Sequence, residues 1–393
     1  TKEHFSQNNI KAWHKDILQE TDFDALYNSE EEARGDAENF KNYIKKDTDE
    51  VIGESITVTL QPQISFVLMD QATGEVKAIS GGRGAKTANL TLNRATNVPR
   101  QPGSTFKVIS SFAPALDTCG ATLGSVYYDA PYTVGAKTFR NWYSGGYQGY
   151  SSIRDGIIYS MNIVAVRCMM ETVTPQLGVE YAKNFGITTL TSSDYNAATA
   201  LGGLTEGVTN LELTSAFATI ANQGMYTEPI FFTKIIDRNG KVLINNEPAT
   251  RRVLKDSTAF LLTDALKDSM IGNRKFARPG AGPGSTSTRA KLENMSCAGK
   301  SGTTTGNNDI WFVGFTPYYT AGIWSGYDLN QKLSSHTEGT SYHKDIWRKI
   351  MTRVHEGMSD PGFTVPDSVE TASICRKSGK LAIPGVCDHD PRG

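Results

Sequence analysis

Residues 1–54 are rich in Glu, Asp, Lys and Asn, and only Ala37, Phe40, Tyr43 and Ile44 carry a weak helical spacing, which predicts a linker or a small helical lead-in. The pattern changes sharply at Ser55. Ile56-Thr-Val-Thr-Leu60 and Ile64-Ser-Phe-Val-Leu-Met69 have the branched and aromatic character of strands. The turn Ala72-Thr73-Gly74 then leads into Val76-Lys77-Ala78-Ile79, which predicts a hairpin. An irregular polar stretch after Gly81-Gly82 ends at Arg100-Gln101-Pro102-Gly103, and a helix is expected from Ser104. From Ser151 to Phe185 the spacing is helical with interruptions, and Thr209 heads a helix that Gly224 stops. Phe231 to Ile236 and Val242 to Ile244 predict a strand pair about Asn239-Gly240.

Asp256 to Met270 is the next helix, with Asp256 or Ser257 as its cap. Residues 272–290 hold too few apolar side chains to pack a core and are expected to form a mobile loop. Cys297 to Thr305, Ile310 to Phe315 and Ala321 to Tyr327 alternate as three antiparallel strands. Tyr342 to Val354 is an amphipathic helix with Ile346, Trp347, Ile350 and Met351 on one face, and the tail from Asp360 is expected to be extended and peripheral. Early strands, a helical middle, then antiparallel strands and a closing helix make this an α+β fold whose sheet joins distant segments. Three regions follow: a linker over 1–54, a principal domain over 55–357 and a C-terminal extension over 358–393.

Composition narrows the function. Forty Lys and Arg against 41 Asp and Glu leave no net positive field for a polyanion, which argues against nucleic acid as a partner. No apolar run approaches the roughly 20 residues that span a bilayer. The chain starts without Met or an apolar leader, so it is expected to be part of a longer protein whose remainder carries any anchor. Five cysteines include Cys375 and Cys387 flanking a short Gly- and Pro-containing segment, where a hairpin disulfide is open either way. Their spacing with His336, His343 and His389 is too irregular to favour zinc, and no cofactor is expected.

Three motifs then fall in order: Ser104-Thr105-Phe106-Lys107, Ser160-Met161-Asn162 and Lys300-Ser301-Gly302-Thr303. Each has a look-alike, in Ser341-Tyr342-His343-Lys344, Ser6-Gln7-Asn8 and Lys377-Ser378-Gly379, so the weight rests on order and context. A helix begun at Ser104 aims its free amides at the serine and sets Lys107 one turn on, within reach of the hydroxyl. Serine needs a base, and lysine at its usual pKa of about 10.4 is almost wholly protonated near neutrality. Burial of Lys107 beside the charge of Lys300 would lower it. Taken alone, the pair is better read as a capped surface helix with a solvated lysine.

Ser160 and Asn162 lie among Ile157, Ile158, Ile163, Val164 and Val166, so both should be buried and need partners. Ser160 suits a proton relay between Lys107 and a leaving amine, and Asn162 suits a hold on the acyl side of a substrate; both also suit capping inside a core. On the strand begun by Lys300, Ser301, Thr303 and Thr305 alternate on one face and offer hydroxyls and an ammonium to a carboxylate. Gly302 allows substrate to approach the backbone, and the amides of Ser104 and Thr303 suit an oxyanion. The plainer alternative is an edge strand with polar decoration.

These residues resemble the penicillin-binding proteins and serine β-lactamases, which carry the same ordered motif set. Asn93-Arg94-Ala95-Thr96, Arg100 through Lys107, Thr209-Asn210-Leu211-Glu212-Leu213 and Ala298-Gly299-Lys300-Ser301-Gly302-Thr303-Thr304 extend the resemblance to the transpeptidase domain of class A, bifunctional penicillin-binding proteins. The resemblance covers residues 55–357, and Cys375-Arg-Lys-Ser-Gly-Lys-Leu381 continues it. It implies a penicillin-binding-protein/β-lactamase-like fold, an antiparallel sheet packed against helices with a helical subdomain. It implies that Ser104 is the acylated nucleophile, Lys107 its base, Ser160 a relay and Asn162 a substrate holder, with Lys300, Ser301, Thr303 and Thr305 on the terminal carboxylate.

The implied reaction is transfer at D-Ala-D-Ala of peptidoglycan stem peptides to a neighbouring amine, with β-lactam antibiotics acylating the same serine. Cell-wall synthesis proteins would be partners, the location the outer face of the bacterial cytoplasmic membrane, and a glycosyltransferase domain would precede this chain. Ser301 stands where Thr is commoner and keeps the hydroxyl. No Glu-x-x-Leu-Asn segment of the β-lactamases is found. A D,D-carboxypeptidase and a non-catalytic β-lactam sensor or scaffold stay open beside the transpeptidase.

Overall fold

The computed structural model describes residues 2–387 apart from 24, 28, 59, 85, 87, 145, 273–283 and 334–340. The chain divides into two compact units, Thr1–Gln61 and Pro62–Gly393.

The first unit is a helix pair, Gln7–Asp16 and Glu30–Ile44. Ser29 caps the second helix by accepting from the Glu32 amide at 3.1 Å, and Glu30, Glu31 and Glu32 place negative charge at its positive end. Phe40 and Ala33 are buried there, Trp13 packs on Phe40, and His14 sits between Glu20 and Asp36 at 2.8 and 2.9 Å. The second helix is thus longer than the weak spacing from Ala37 implied, and the first was not marked by it. The strand expected over Ile56–Leu60 is absent among the described residues. The next strand along the chain, Gln63–Asp70, is paired on both sides by other strands.

The second unit is built on a five-stranded sheet in the spatial order Ala298–Thr303, Asp309–Phe315, Tyr319–Gly326, Gln63–Asp70, Val76–Ser80. All neighbours are antiparallel, and the register runs from Gln63 opposite Gly326 to Asp70 opposite Tyr319, so the sheet stitches the two ends of the unit together. Alternation sorts the strands' side chains onto two faces. Phe66, Leu68, Phe312 and Ile323 meet Trp347 and Met351 of the closing helix Tyr342–Val354. Trp311, Val313, Phe315 and Trp324 join Leu213 and Phe217 of the helix Asn210–Ala221, and Leu262 and Leu266 of the helix Asp256–Ile271. Thr209 and Glu212 form a reciprocal cap at the start of Asn210–Ala221.

Beyond this second face lies the helical part. A helical run crosses it from Gly103 to Asp117, tight over Gly103–Thr105, widened over Val108–Phe112 and regular over Ala113–Asp117. Phe106, Val108, Ile109 and Phe112 have no exposed surface. The interrupted helical stretch resolves into Ile153–Ile158, Asn162–Cys168, a widened turn Met169–Val173 and Pro175–Asn184.

Several local expectations change. The pair Lys234–Ile236 and Val242–Asn245 forms, fully exposed, but Val126–Asp129 with Gly149–Ser152, and Tyr132–Val134 with Lys137–Phe139, are strand pairs too short to leave a period in the sequence. The cap before Asp256–Ile271 is Lys255 in extended conformation, while Asp256 turns back to its neighbour's amide. Residues 273–283 of the expected loop lie outside the described residues; its end does pack, with Ala290 fully buried. The tail is extended but docked: Asp360 accepts from the Ser296 amide and hydroxyl, and Phe363 packs on Phe315. No disulfide joins Cys375 and Cys387. Among the described residues no helix is long and apolar enough to cross a membrane.

Candidate active site

The three motifs converge where the helical part meets the edge strand Ala298–Thr303. What lets them converge is a stack of glycines. A Cβ on Gly302 would lie 2.3 Å from the Pro102 carbonyl, one on Gly103 would lie 2.8 Å from the Thr303 carbonyl, and one on Gly202 would lie 2.3 Å from the Gly103 carbonyl. Gly103 and Gly202 also hold φ of +54° and +73°, which favours glycine. The turn bearing Ser104 is therefore clamped between the edge strand and Gly202. Gly302, expected to admit substrate, instead admits the nucleophile turn, because its missing side chain is where Pro102 sits.

Ser104 is half-buried at the start of the helical run. Among the described residues no hydrogen bond joins it to Lys107. The fully buried Lys107 Nζ donates instead to the Ser160 carbonyl at 2.7 Å, to Ser160 Oγ at 3.3 Å and to Asn162 Oδ1 at 2.6 Å. Burial pushes the Lys107 pKa well below its usual value, and the ammonium of Lys300 adds to this. The neighbouring charge expected from the sequence is in place.

Ser160 joins the two lysines. Its Oγ also accepts from Lys300 Nζ at 2.9 Å, and Lys300 makes a second bond to the Ser301 carbonyl at 2.9 Å. Ser160 has φ +54°, a left-handed conformation that costs a non-glycine residue about 1 kcal/mol or more. Its carbonyl and hydroxyl thereby both face the lysines, and the apolar residues around Met161 bury the break between two helices. Burial lowers Lys300 to about 7, with Lys344 as the second cause.

Asn162 is engaged at both ends. Its Oδ1 accepts a hydrogen bond from Lys107, its Nδ2 donates to the Arg140 carbonyl at 2.8 Å, and its backbone amide donates to Asn141 Oδ1. Ser301 is buried and gives its proton to Thr286 Oγ1 at 2.6 Å. Thr303 ends the strand exposed. Thr305 departs from the expected alternation: it starts a separate turn, Thr305–Asn307, in which Gly306 has φ +82°. Chain reversal toward Asp309 outweighs the polar period there.

The sequence did not single out Asn141, Thr286 or Lys344 as site residues. Asn141 and Thr286 lie in loops without a period. Lys344 was visible only as part of a look-alike motif. The other look-alikes are accounted for, with Ser6 on an exposed helix cap and Lys377 exposed on the tail.

The penicillin binding protein transpeptidase domain family matches residues 64–352. Penicillin-binding protein 1A of Clostridium tetani is 34% identical over 339 residues, covering 82% of this chain and 41% of that protein. The chain thus spans about two fifths of the length of that relative. Among solved structures, penicillin-binding protein 1A from Haemophilus influenzae aligns with a TM-score of 0.71 at 25% identity, covering 82% of this chain and 52% of that one. PonA1 from Mycobacterium tuberculosis in complex with penicillin V aligns at 0.66 and 25% identity, covering 82% and 84%. The family match spans most of the chain and the architecture is shared with these structures, so the chain belongs to the penicillin-binding protein transpeptidase family.

Proposed function

We propose that this chain carries out serine acyl transfer at D-Ala-D-Ala of peptidoglycan stem peptides. The observation that carries the reading is the pair of buried lysines sharing the Ser160 hydroxyl, with Ser104 one helical turn from the first of them. Neutral Lys107 keeps two N–H groups for its acceptors and turns its lone pair, in place of the third hydrogen bond, to the Ser104 hydroxyl, taking its proton as Oγ attacks the penultimate carbonyl. The amides of Ser104 and Thr303, on the two segments that Gly103 presses together, suit the oxyanion. Collapse breaks the peptide bond, and the departing D-alanine amine takes a proton passed from Lys107 through Ser160. A stem-peptide amine then attacks the acyl-enzyme and gives a proton to Lys107; as the ester bond breaks, Ser104 Oγ takes that proton back from Lys107.

Lys300, Ser301 and Thr303 receive the terminal carboxylate, with Thr305 at the mouth and Asn162 beside the acyl chain. PonA1 is solved in complex with penicillin V, which supports β-lactam binding here; we assign the acylated residue to Ser104. We place it, as membership of the family suggests, in cell-wall synthesis at the outer face of the membrane, beside a glycosyltransferase domain and other wall-building proteins.

Mass spectrometry of products from a stem-peptide donor, with and without an amine acceptor, tests the reading. Cross-linked product is expected with the amine. Hydrolysis alone makes the chain a carboxypeptidase, and β-lactam labelling of Ser104 with no turnover of stem peptide makes it a sensor.

A further inference from the structure

Lys344, the lysine of the look-alike Ser341-Tyr342-His343-Lys344, is not on the surface. It is 8% exposed in the first turn of the closing helix, and its Nζ donates to the Thr286 carbonyl at 2.8 Å. The same Thr286 accepts from the Ser301 hydroxyl through Oγ1 at 2.6 Å, and the Ser301 carbonyl accepts from Lys300. A continuous polar row therefore runs Ser160, Lys300, Ser301, Thr286, Lys344. Its far end is a cation that the three motifs do not require.

The charge is poorly compensated. Asp345 is the acid that acts on Lys344, and it is already paired with Arg289, a second cation beside Lys344. His343 next to it is buried with Nε2 on the Trp311 carbonyl, and burial followed by the Lys344 charge lowers it to about 3, so it stays neutral. On the opposite side stand Lys300 and, beyond it, Lys107, both fully buried. Keeping an ammonium here costs folding energy unless an anion completes the site.

We infer that Lys344 is a positioning residue for the substrate carboxylate, supplying a second positive charge behind Ser301 and holding Thr286 so that the Ser301 hydroxyl is aimed. This rests on the acyl-transfer reading above. Ser301 has one proton to donate and in the free protein gives it to Thr286; when that proton turns to a docked carboxylate, the Thr286 hydroxyl reverses and donates to Ser301 Oγ, and Lys344 holds Thr286 in place to do so. Removing the charge also lets the Lys300 ammonium persist to higher pH, since Lys344 is one of the two causes lowering it.

The test measures second-order acylation rates of the whole chain from pH 6 to 10 with a fluorescent penicillin bearing its free carboxylate and with the methyl ester of the same compound. For Lys344→Met the free acid should lose about tenfold, the size of one charge-assisted hydrogen bond, while the ester loses little, and the inflection of the pH profile should move upward. Lys344→Arg should restore most of the acid-over-ester preference. Thr286→Val keeps the charge and should lower the preference without moving the inflection, which keeps the inference testable if Lys344→Met folds poorly. Equal loss on acid and ester in Lys344→Met with an unmoved inflection, or an unchanged preference in Thr286→Val, overturns it. Absence of labelling in the unsubstituted chain would instead sink the acyl-transfer reading itself.

Discussion

Lys107 and Lys300 are wholly buried, and the oxygens they bond belong to hydroxyl, carbonyl and amide groups rather than carboxylates. Each is therefore stabilised in position more than in charge. With Lys300 lowered to about 7, the unfolded chain holds a proton that the folded chain has released anywhere between there and the usual lysine range. Stability should accordingly rise with pH across that window, the penalty being complete below about 7 and gone above the ordinary lysine value. Urea midpoints taken from pH 7 to 10 should show this rise, and Lys300→Met should flatten it; an identical slope in both proteins contradicts the assignment. In catalysis the roles separate. Lys107→Ala should abolish acylation while leaving the fold intact, and Ser104→Ala should abolish labelling by a fluorescent penicillin; unchanged acylation kinetics in Lys107→Ala would remove it as the base.

At the scale of elements, the edge strand works because it carries no side chain where the nucleophile turn crosses it. Gly302→Ala should push Cβ into the Pro102 carbonyl, costing about 1–3 kcal/mol of stability and at least tenfold in acylation rate, measured by chemical unfolding and by labelling. Thr209→Ala is the counterpart: it removes one reciprocal cap, should cost about 1 kcal/mol, and should leave acylation per folded molecule unchanged. Elements with a sustained period were legible in the sequence. The closing helix spans Tyr342–Val354 as its apolar spacing predicts, and the three late strands and the early hairpin stand where alternation put them. Ile56–Leu60 has strand chemistry, but the next strand along the chain, Gln63–Asp70, is already paired on both sides, a fact of topology that composition does not carry. Likewise, Gly302 was read correctly as a point of close approach, but what approaches it was not in the sequence. The left-handed turn at Ser160 and the link from Lys344 through Thr286 depend on segments far apart in the chain, and no local pattern marks them.

Across the whole molecule, the tail belongs with the second unit. Ile374 pairs with Leu381 in a small hairpin whose Gly379 sits against Gly124, where an added Cβ would lie 3.3 Å from the Gly379 carbonyl. On that hairpin, hydrogen bonds from the Ser378 side chain and from nearby amides lower the Cys375 thiol to about 7, whereas burial raises Cys168 to about 12 and Cys297 to about 11. Iodoacetamide at neutral pH should thus modify Cys375 well before Cys168 or Cys297, as read by peptide mapping. The sheet has a consequence for synthesis. Asp70 waits for Tyr319 and Ser160 for the distant Lys300, so strand and nucleophile turn leave the ribosome long before their partners exist. At about 5–20 residues per second the interval before Asp70 can pair is on the order of 12–50 s, during which an apolar strand has nothing to pair with on that side. A nascent chain of this protein therefore depends on being kept from aggregating until its last strands emerge, and the acylation site is among the last parts of the molecule to come into being.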